Sequence, residues 1–175
     1  AAAAALARSR AWGPREVTAL YELGNVYARS GRPNEAAEAY AGALRANAGY
    51  DEIYFNLATV YASHLGQADK ARAYYETAWA LNPLSNETIN GLSALYLRDP
   101  ARNKALAADL LSEAARIFPE NPNHWNNLGY VMTIDRRWAE AESAYVRALE
   151  ISPEAALIER NLAAVVAQSP RKMRH

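Results

Sequence analysis

The 175-residue chain has no cysteine, two methionines, and few helix-breaking residues, with eight glycines and eight prolines. Without cysteine, disulfide scaffolds, thiolate zinc sites, iron–sulfur clusters and cysteine nucleophiles are excluded. Lys plus Arg and Asp plus Glu each number 19, so the formal net charge is zero and no bulk positive field attracts nucleic acid or an anionic membrane. Polar residues interrupt the apolar stretches well before the roughly 20 residues that a membrane span needs. Nucleic-acid binding and direct membrane insertion are therefore disfavoured.

Helix-forming residues dominate what is present. Hydrophobic residues make up 51% of the chain, and alanine, the strongest helix former, is abundant among them. With so little glycine and proline, this composition predicts an all-α fold. The length suits one ordinary domain or a short array of small units, and it makes a two-domain enzyme improbable.

The sequence repeats itself at a nearly constant interval. Residues 20–27, 54–61, 89–96 and 125–132 align with one another, so their starts are separated by 34, 35 and 36 residues. A second segment of small and large residues at one-turn spacing follows each of them: Ala36, Tyr40 and Ala43; Ala71, Tyr75 and Ala78; Ala107, Leu111 and Ala114; Ala141, Tyr145 and Ala148. A fixed period between 20 and 50 residues indicates stacked helical units that share one core.

Each repeat is predicted to be a pair of helices. Leu20, Leu23 and Tyr27 form one apolar stripe at helical spacing. Gly24 lies on that stripe, where we expect it to let the two helices approach closely. The second helices are predicted to stop at asparagine or proline residues, namely Asn47, Asn82, Pro83, Pro119 and Pro153.

These motifs resemble the tetratricopeptide repeat, whose 34 residues carry a large residue, Leu, Gly or Ala, Tyr, then Ala, an aromatic, Ala and Pro at fixed places. The resemblance implies an all-α, α-α superhelical solenoid of antiparallel helix pairs. Its units would be an N-terminal segment at 1–16 that is the second helix of a truncated repeat, four repeats at 17–50, 51–85, 86–121 and 122–155, a capping helix at 156–169, and a basic tail at 170–175. One extra residue near 64–66 and two near 99–104 are expected in the turns within repeats two and three.

The resemblance also implies a scaffold that holds a peptide or a partner helix in a concave groove, with no catalysis and no cofactor. The sequence offers no catalytic pattern to contradict this. His64, His124 and His175 lack the acidic or histidine neighbours of a metal site, and no phosphate-binding glycine loop is present. The close carboxylates, such as Asp51 with Glu52, stand at helix starts, where acids favourably meet the helix dipole.

By analogy with the family, the groove-facing residues are Tyr21, Glu22, Asn25, Glu52, Phe55, Asn56, Asn90, Asn126, Asn127, Tyr130 and Asn161. The recurring asparagines can form a ladder that hydrogen-bonds a peptide main chain, or they can serve only to bind water and cap local turns. The front of the groove is acidic and aromatic, which favours a ligand with apolar anchors and Lys or Arg. A carboxylate clamp of the co-chaperone type is rejected, because Glu87 and Gly91 occupy the places of its third-helix cations.

Two other interpretations stay open, and a third is disfavoured. The chain can be a self-assembling structural oligomer, since solenoid ends expose apolar faces. It can also be the arm of a larger bacterial envelope or secretion protein, tethered through a missing N-terminal region and lying in the cytoplasm or the periplasm. The related RNA-reading helical repeat is disfavoured by the neutral charge and by Glu22, Glu52 and Glu87 in the groove. The partner is therefore expected to be another protein or peptide, or a second copy of the chain.

Overall fold

The computed structural model describes residues 14–169 of the chain, and the predictions for residues 1–13 and 170–175 lie outside that range. Within it the protein forms nine α-helices and no strand, which confirms the all-α prediction. None of these helices has the length and apolarity to cross a membrane. In chain order they are α1 (Pro14–Arg29), α2 (Pro33–Ala46), α3 (Asp51–Ser63), α4 (Ala68–Leu81), α5 (Asn86–Leu97), α6 (Pro100–Ile117), α7 (Pro122–Ile134), α8 (Trp138–Ile151) and α9 (Ala156–Gln168).

The helix ends follow the local sequence. Pro33, Pro100 and Pro122 stand in the first turns of α2, α6 and α7, where proline loses no intrahelical hydrogen bond and its fixed φ suits the helix. Asn47 and Asn82 are the C-caps of α2 and α4, as predicted. In both caps the backbone N–H still donates to the helix while the backbone at the asparagine turns away from helical geometry.

The chain divides into two compact units, and the boundary falls within α5 between Leu92 and Ser93. In unit 1, α1 packs against α2, α3 packs against α4, and α2 packs against α3. Its core is built from alanines and one tyrosine of α2 together with branched residues of α1 and α3: Val17, Ala36, Ala37, Tyr40, Ala43, Ile53, Leu57 and Val60. In unit 2, α7 packs against α6 and α8, and α9 packs against α8.

In the α1–α2 and α7–α8 pairs, close approach of the two helices depends on glycine. A Cβ atom at Gly24 would lie 2.6 Å from the ring of Tyr40, and one at Gly129 would lie 2.9 Å from the ring of Tyr145. Both tyrosines come from the second helix of the pair and are only 2% exposed. The prediction that Gly24 permits close packing is confirmed, and the ring positions show that even alanine is too large there.

One residue of the predicted apolar stripe is not buried. Leu23 is 41% exposed, whereas the equivalent Leu57, Leu92 and Leu128 are 0%, 1% and 8% exposed. The apolar stripe of the first repeat is therefore less buried at this place than the stripes of the later repeats. The repeat pattern identifies the stripe but does not specify how deeply each copy of it is buried.

The two insertions behave differently. The extra residue near 64–66 lies in the turn between α3 and α4, as predicted. The prediction for residues 99–104 is wrong, because α6 begins at Pro100 and has 18 residues where α2, α4 and α8 have 14. Asp99 caps the helix by accepting a hydrogen bond from the Arg102 N–H, and Pro100 fits the first turn, so the inserted residues extend the helix.

Candidate functional site

Unit 1 brings five of the predicted groove residues together. Tyr21 and Asn25 on α1 face Glu52, Phe55 and Asn56 on α3, and we call the surface that these five form the inner surface. The Asn56 side-chain nitrogen lies 3.4 Å from both the Tyr21 hydroxyl and the Asn25 side-chain oxygen. The Tyr21 hydroxyl donates to the carboxylate of Glu52. The first helices of two successive repeats are thus joined by a polar network.

The second helix contributes to the same network from the core. The ring of Tyr40 is buried, and its hydroxyl donates to the Asn25 side-chain oxygen at 2.7 Å. Burial raises the pKa of Tyr40 to about 12, and burial followed by the hydrogen bond to Glu52 raises the pKa of Tyr21. Both hydroxyls keep their protons at neutral pH. The Tyr40 hydroxyl donates to the Asn25 side-chain oxygen, which fixes the orientation of the Asn25 amide, while the Tyr21 hydroxyl donates to Glu52.

The aromatic side chains of the inner surface rest on second-helix tyrosines. The ring centroids of Tyr21 and Tyr40 are 6.1 Å apart, and those of Phe55 and Tyr75 are 5.8 Å apart. The Tyr75 hydroxyl in turn lies 2.9 Å from the hydroxyl of Thr59, the next inward residue of α3. Such tilted ring pairs favour fixed side-chain positions. The aromatic side chains of the inner surface therefore pack directly on buried tyrosines of the core.

Two cavities open along this surface. The larger, of about 480 Å³, lies between the N-terminal ends of α3 and α5 and is lined by Asp51, Glu52, Phe55, Asn56, Asn82, Leu84, Ser85, Glu87 and Thr88. The smaller, of about 150 Å³, is lined by Val17, Thr18, Tyr21, Tyr50, Glu52 and Ile53. Glu52 borders both cavities. Among the described residues that line them there is no Lys or Arg, so both cavities are acidic.

The predicted residues of unit 2 form a separate polar group. The Asn161 side-chain nitrogen on α9 donates to the Asn126 side-chain oxygen on α7 at 3.1 Å, and Asn126 donates to Asn127 at 3.3 Å. Tyr130 follows on α7 and is 43% exposed. These asparagines bond to one another across helices, as Asn25 and Asn56 do in unit 1. Glu22 and Asn90 are exposed on α1 and α5 and line neither inner cavity.

Sequence reasoning missed several residues of the larger cavity. Asp51, Leu84 and Ser85 precede or begin the first helices, and their places depend on the path of the connecting segments, which the repeat pattern does not specify. Asn82 donates to the Asp51 carboxylate at 2.8 Å and orients it toward the end of α4. The available sequence signal is the recurrence of Asn at repeat ends, at Asn47 and Asn82, which by itself predicts a helix stop and not a cavity residue.

Gly91 stands where a carboxylate clamp would have a cation, and the space for a side chain there is filled by the ring of Tyr75. A Cβ atom there would lie 2.8 Å from the ring of Tyr75. An arginine at this place would have to displace a buried tyrosine, so the position that a carboxylate clamp fills with a cation is closed by packing. Glu87, one turn earlier, lines the acidic cavity.

The histidines occupy contrasting positions. His124 is fully buried, its Nε2 lies 3.1 Å from the Asn121 side-chain nitrogen, and its ring packs against Phe118 with centroids 5.9 Å apart. Burial lowers the pKa of His124, so it is a neutral core side chain at neutral pH. His64 is exposed in the turn after α3. Across residues 14–169 no three His, Asp or Glu side chains gather in a way that suits a metal ion.

Paired helices, glycine–tyrosine contacts and inward-facing polar side chains define the class of helical-repeat scaffolds for protein interaction. The sequence profile of the tetratricopeptide repeat matches residues 1–51, 21–86 and 90–156. The chain therefore belongs to the tetratricopeptide repeat family, which confirms the resemblance that its repeats indicated.

Two curated proteins share part of this sequence. Human protein O-mannosyl-transferase TMTC1 is 25% identical over 180 residues, which cover 82% of this chain and 20% of the human protein. The UDP-N-acetylglucosamine--peptide N-acetylglucosaminyltransferase of Giardia intestinalis is 32% identical over 104 residues, which cover 58% of this chain and 7% of that protein. The chain thus spans a fifth or less of the length of these relatives.

Solved structures with the same fold include MamA proteins. One is superimposed with a TM-score of 0.79 at 19% identity, covering 89% of this chain and 83% of that chain. MamA from Desulfovibrio magneticus gives a TM-score of 0.77 at 19% identity, covering 93% and 90%. At these identities the likeness concerns the fold, which is of the helical-solenoid class.

Proposed function

We propose that this protein is an interaction scaffold without catalysis of its own, and that the inner surface of unit 1 binds an extended peptide. The observation that carries the proposal is the acidic cavity of about 480 Å³, where Phe55 and Leu84 lie beside the carboxylates of Asp51, Glu52 and Glu87. Apolar walls next to a few fixed polar groups are typical of binding sites. A peptide that carries Lys or Arg beside an apolar side chain matches this combination.

Charge supports a cationic ligand. Asp51 and Glu52 lie in the first turn of α3, and Glu87 lies in the first turn of α5. None of the three forms a salt bridge within the described residues. A Lys or Arg side chain entering the cavity would therefore find carboxylates that have no competing cation.

The asparagines support binding to a peptide main chain. Asn56 uses its side-chain nitrogen toward Tyr21 and Asn25, and no donor from the described residues reaches its side-chain oxygen. That oxygen borders the larger cavity and can accept an N–H group from an extended peptide. Because the amide is already oriented by its neighbours, little side-chain entropy is lost on binding.

The test is fluorescence anisotropy with a labelled peptide that has two lysines flanking a leucine. In the double variant Glu52→Gln/Glu87→Gln we expect about tenfold weaker binding, which corresponds to about 1.4 kcal/mol. The dependence of affinity on salt concentration should also flatten, since fewer charges attract the peptide. Helicity should be unchanged, because both side chains are exposed.

The matched control is Glu154→Gln, which neutralises an exposed acid in unit 2 that borders neither inner cavity. It should bind the lysine peptide like the unaltered protein. Equal affinity in the double variant and in the control would contradict the proposal. So would equal binding of a peptide in which glutamates replace the lysines, because the acidic cavity would then make no contribution.

Self-association is a second candidate function, favoured by apolar side chains exposed on the first and last described helices. Leu23 and Val26 on α1 are 41% and 54% exposed, and Leu157 on α9 is 55% exposed.

The length of the two transferase relatives favours a further arrangement, in which the repeats are a segment of a larger protein and hold its partner. An immunoblot of source cells that detects a species well above 19.2 kDa would support that arrangement.

A further inference from the structure

Unit 1 carries another cavity that shares no lining residue with the inner surface. It has a volume of about 430 Å³ and lies between α2, the end of α3 and the start of α4. We call it the outer cavity. Ala37 and Ala41, one turn apart on α2, form one wall, and their small side chains leave the space that Leu65 and Lys70 border from the other side.

The charge of the outer cavity is opposite to that of the inner surface. Arg45 and Lys70 line it together with one acid, Glu38. None of these three belongs to a salt bridge within the described residues, whereas six other Arg or Lys side chains do: Arg32, Arg72, Lys104, Arg116, Arg137 and Arg147. Neither Arg45 nor Lys70 therefore has a described carboxylate within ion-pair distance, and two cations with one acid give the cavity a net positive charge.

The positions of the charged and apolar groups are held by aromatic packing. The Lys70 ammonium lies 5.1 Å from the centroid of the Tyr61 ring, which itself stacks on Tyr74 with centroids 5.6 Å apart. A cation over an aromatic face keeps its positive charge while losing some of its freedom. Leu65, half-buried beside them, offers an apolar contact.

We propose that the outer cavity is a second binding site, which takes an acidic peptide segment with an apolar side chain between its carboxylates. Carboxylates would pair with Arg45 and Lys70, and the apolar side chain would rest on Leu65 and Tyr61. The wall along α2 runs from Asn34 to Arg45, about 16 Å at 1.5 Å per residue, which accommodates roughly five extended residues. With opposite charges on its two surfaces, unit 1 binds an acidic and a basic segment at once.

The experiment uses the full chain and a labelled peptide with four glutamates around a central leucine. Anisotropy should show binding that weakens at least tenfold in the double variant Arg45→Gln/Lys70→Gln. The variant Arg160→Gln removes an exposed cation of unit 2 that borders no described cavity, and it should change the affinity less than twofold. In spectra of the ¹⁵N-labelled protein, the peptide should shift the amide signals of Ala37, Ala41 and Gln67.

The variant Glu52→Gln/Glu87→Gln, which neutralises two acids of the larger inner cavity, separates this proposal from the proposed function. It should bind the acidic peptide as tightly as the unaltered protein, while losing affinity for the lysine peptide. No binding of the acidic peptide at low salt would overturn the second site. Binding that survives in Arg45→Gln/Lys70→Gln, or that shifts amides only outside the outer cavity, would overturn it too.

Discussion

Two glycines inside helices of this protein differ in whether their surroundings leave room for a side chain. Gly129 on α7 faces the ring of Tyr145, and a Cβ atom would lie 2.9 Å from it. Gly42 on α2 has room, because its nearest neighbour would be a methyl group of Leu20 at 3.4 Å. The first glycine is required by packing, whereas the second only weakens its helix.

Replacing each glycine by alanine should therefore change stability in opposite directions. Gly129→Ala should lower the free energy of unfolding by about 1–3 kcal/mol through overpacking against Tyr145. Gly42→Ala should raise it by up to about 1 kcal/mol, because alanine is the better helix former. Urea unfolding followed by circular dichroism measures both. A stabilised Gly129→Ala variant would show that the α7–α8 contact is looser than described.

At the scale of elements, three of the four turns between paired helices in the described residues contain one residue in the left-handed conformation. Gly31 and Gly66 have φ of 70° and 64° in the turns after α1 and α3, and Arg136 has φ of 58° in the turn after α7. This left-handed region suits glycine and costs an ordinary residue roughly 1–2 kcal/mol. The turn after α7 therefore has an arginine in the conformation for which the turns after α1 and α3 have glycine.

Arg136→Gly should raise the free energy of unfolding by about 0.5–1 kcal/mol. The gain is smaller than the full backbone cost, since glycine also increases the entropy of the unfolded chain. The reciprocal change Gly66→Ala should destabilise the protein by about 1 kcal/mol, although no atom lies within 4 Å of the added Cβ. Thermal unfolding of both variants checks the pair. A loss of stability in Arg136→Gly would mean that the arginine side chain contributes more than its backbone costs.

Helix positions follow from the sequence better than helix lengths do. The spacing of 34 to 36 residues locates every first helix, because its apolar stripe must recur at the period of the stacking. The start of α6 was not predictable in this way. Pro100 is equally compatible with a turn and with the first residue of a helix. Only the hydrogen bond from the Arg102 N–H to the Asp99 side chain identifies it as the start of the helix.

For the molecule as a whole, the exposed apolar side chains lead to a prediction about its mass in solution. If self-association uses them, light scattering after size-exclusion chromatography should give a mass that rises with concentration. Val26→Glu combined with Leu157→Glu should then return the protein to about 19.2 kDa. Leu84→Glu is the control: Leu84 is also exposed, at 67%, but lies on neither α1 nor α9, so this variant should keep the concentration dependence of the mass. A constant monomer mass for the unaltered protein would remove the self-association candidate.

The candidate site was only partly accessible from the sequence. The repeat register predicts that Tyr21, Asn25, Glu52, Phe55 and Asn56 share one surface, and the structure brings these five residues together. The outer cavity was not found, because it depends on how closely α2 approaches α3 and α4. The net charge of zero does not predict that unit 1 has one acidic and one basic surface, because a sum over the whole chain says nothing about where the charges lie.

Two tyrosine hydroxyls connect a core position on a second helix to a surface position on the first helix of the same pair. Tyr40 belongs to the core through its ring and to the inner surface through its bond to Asn25, and Tyr75 has the same double role with Thr59. A lineage that changes its ligand by replacing the inward residue also removes the partner of a buried hydroxyl. Covariation between the inward place of a first helix and the aromatic place of the following helix should therefore mark changes of specificity among related chains.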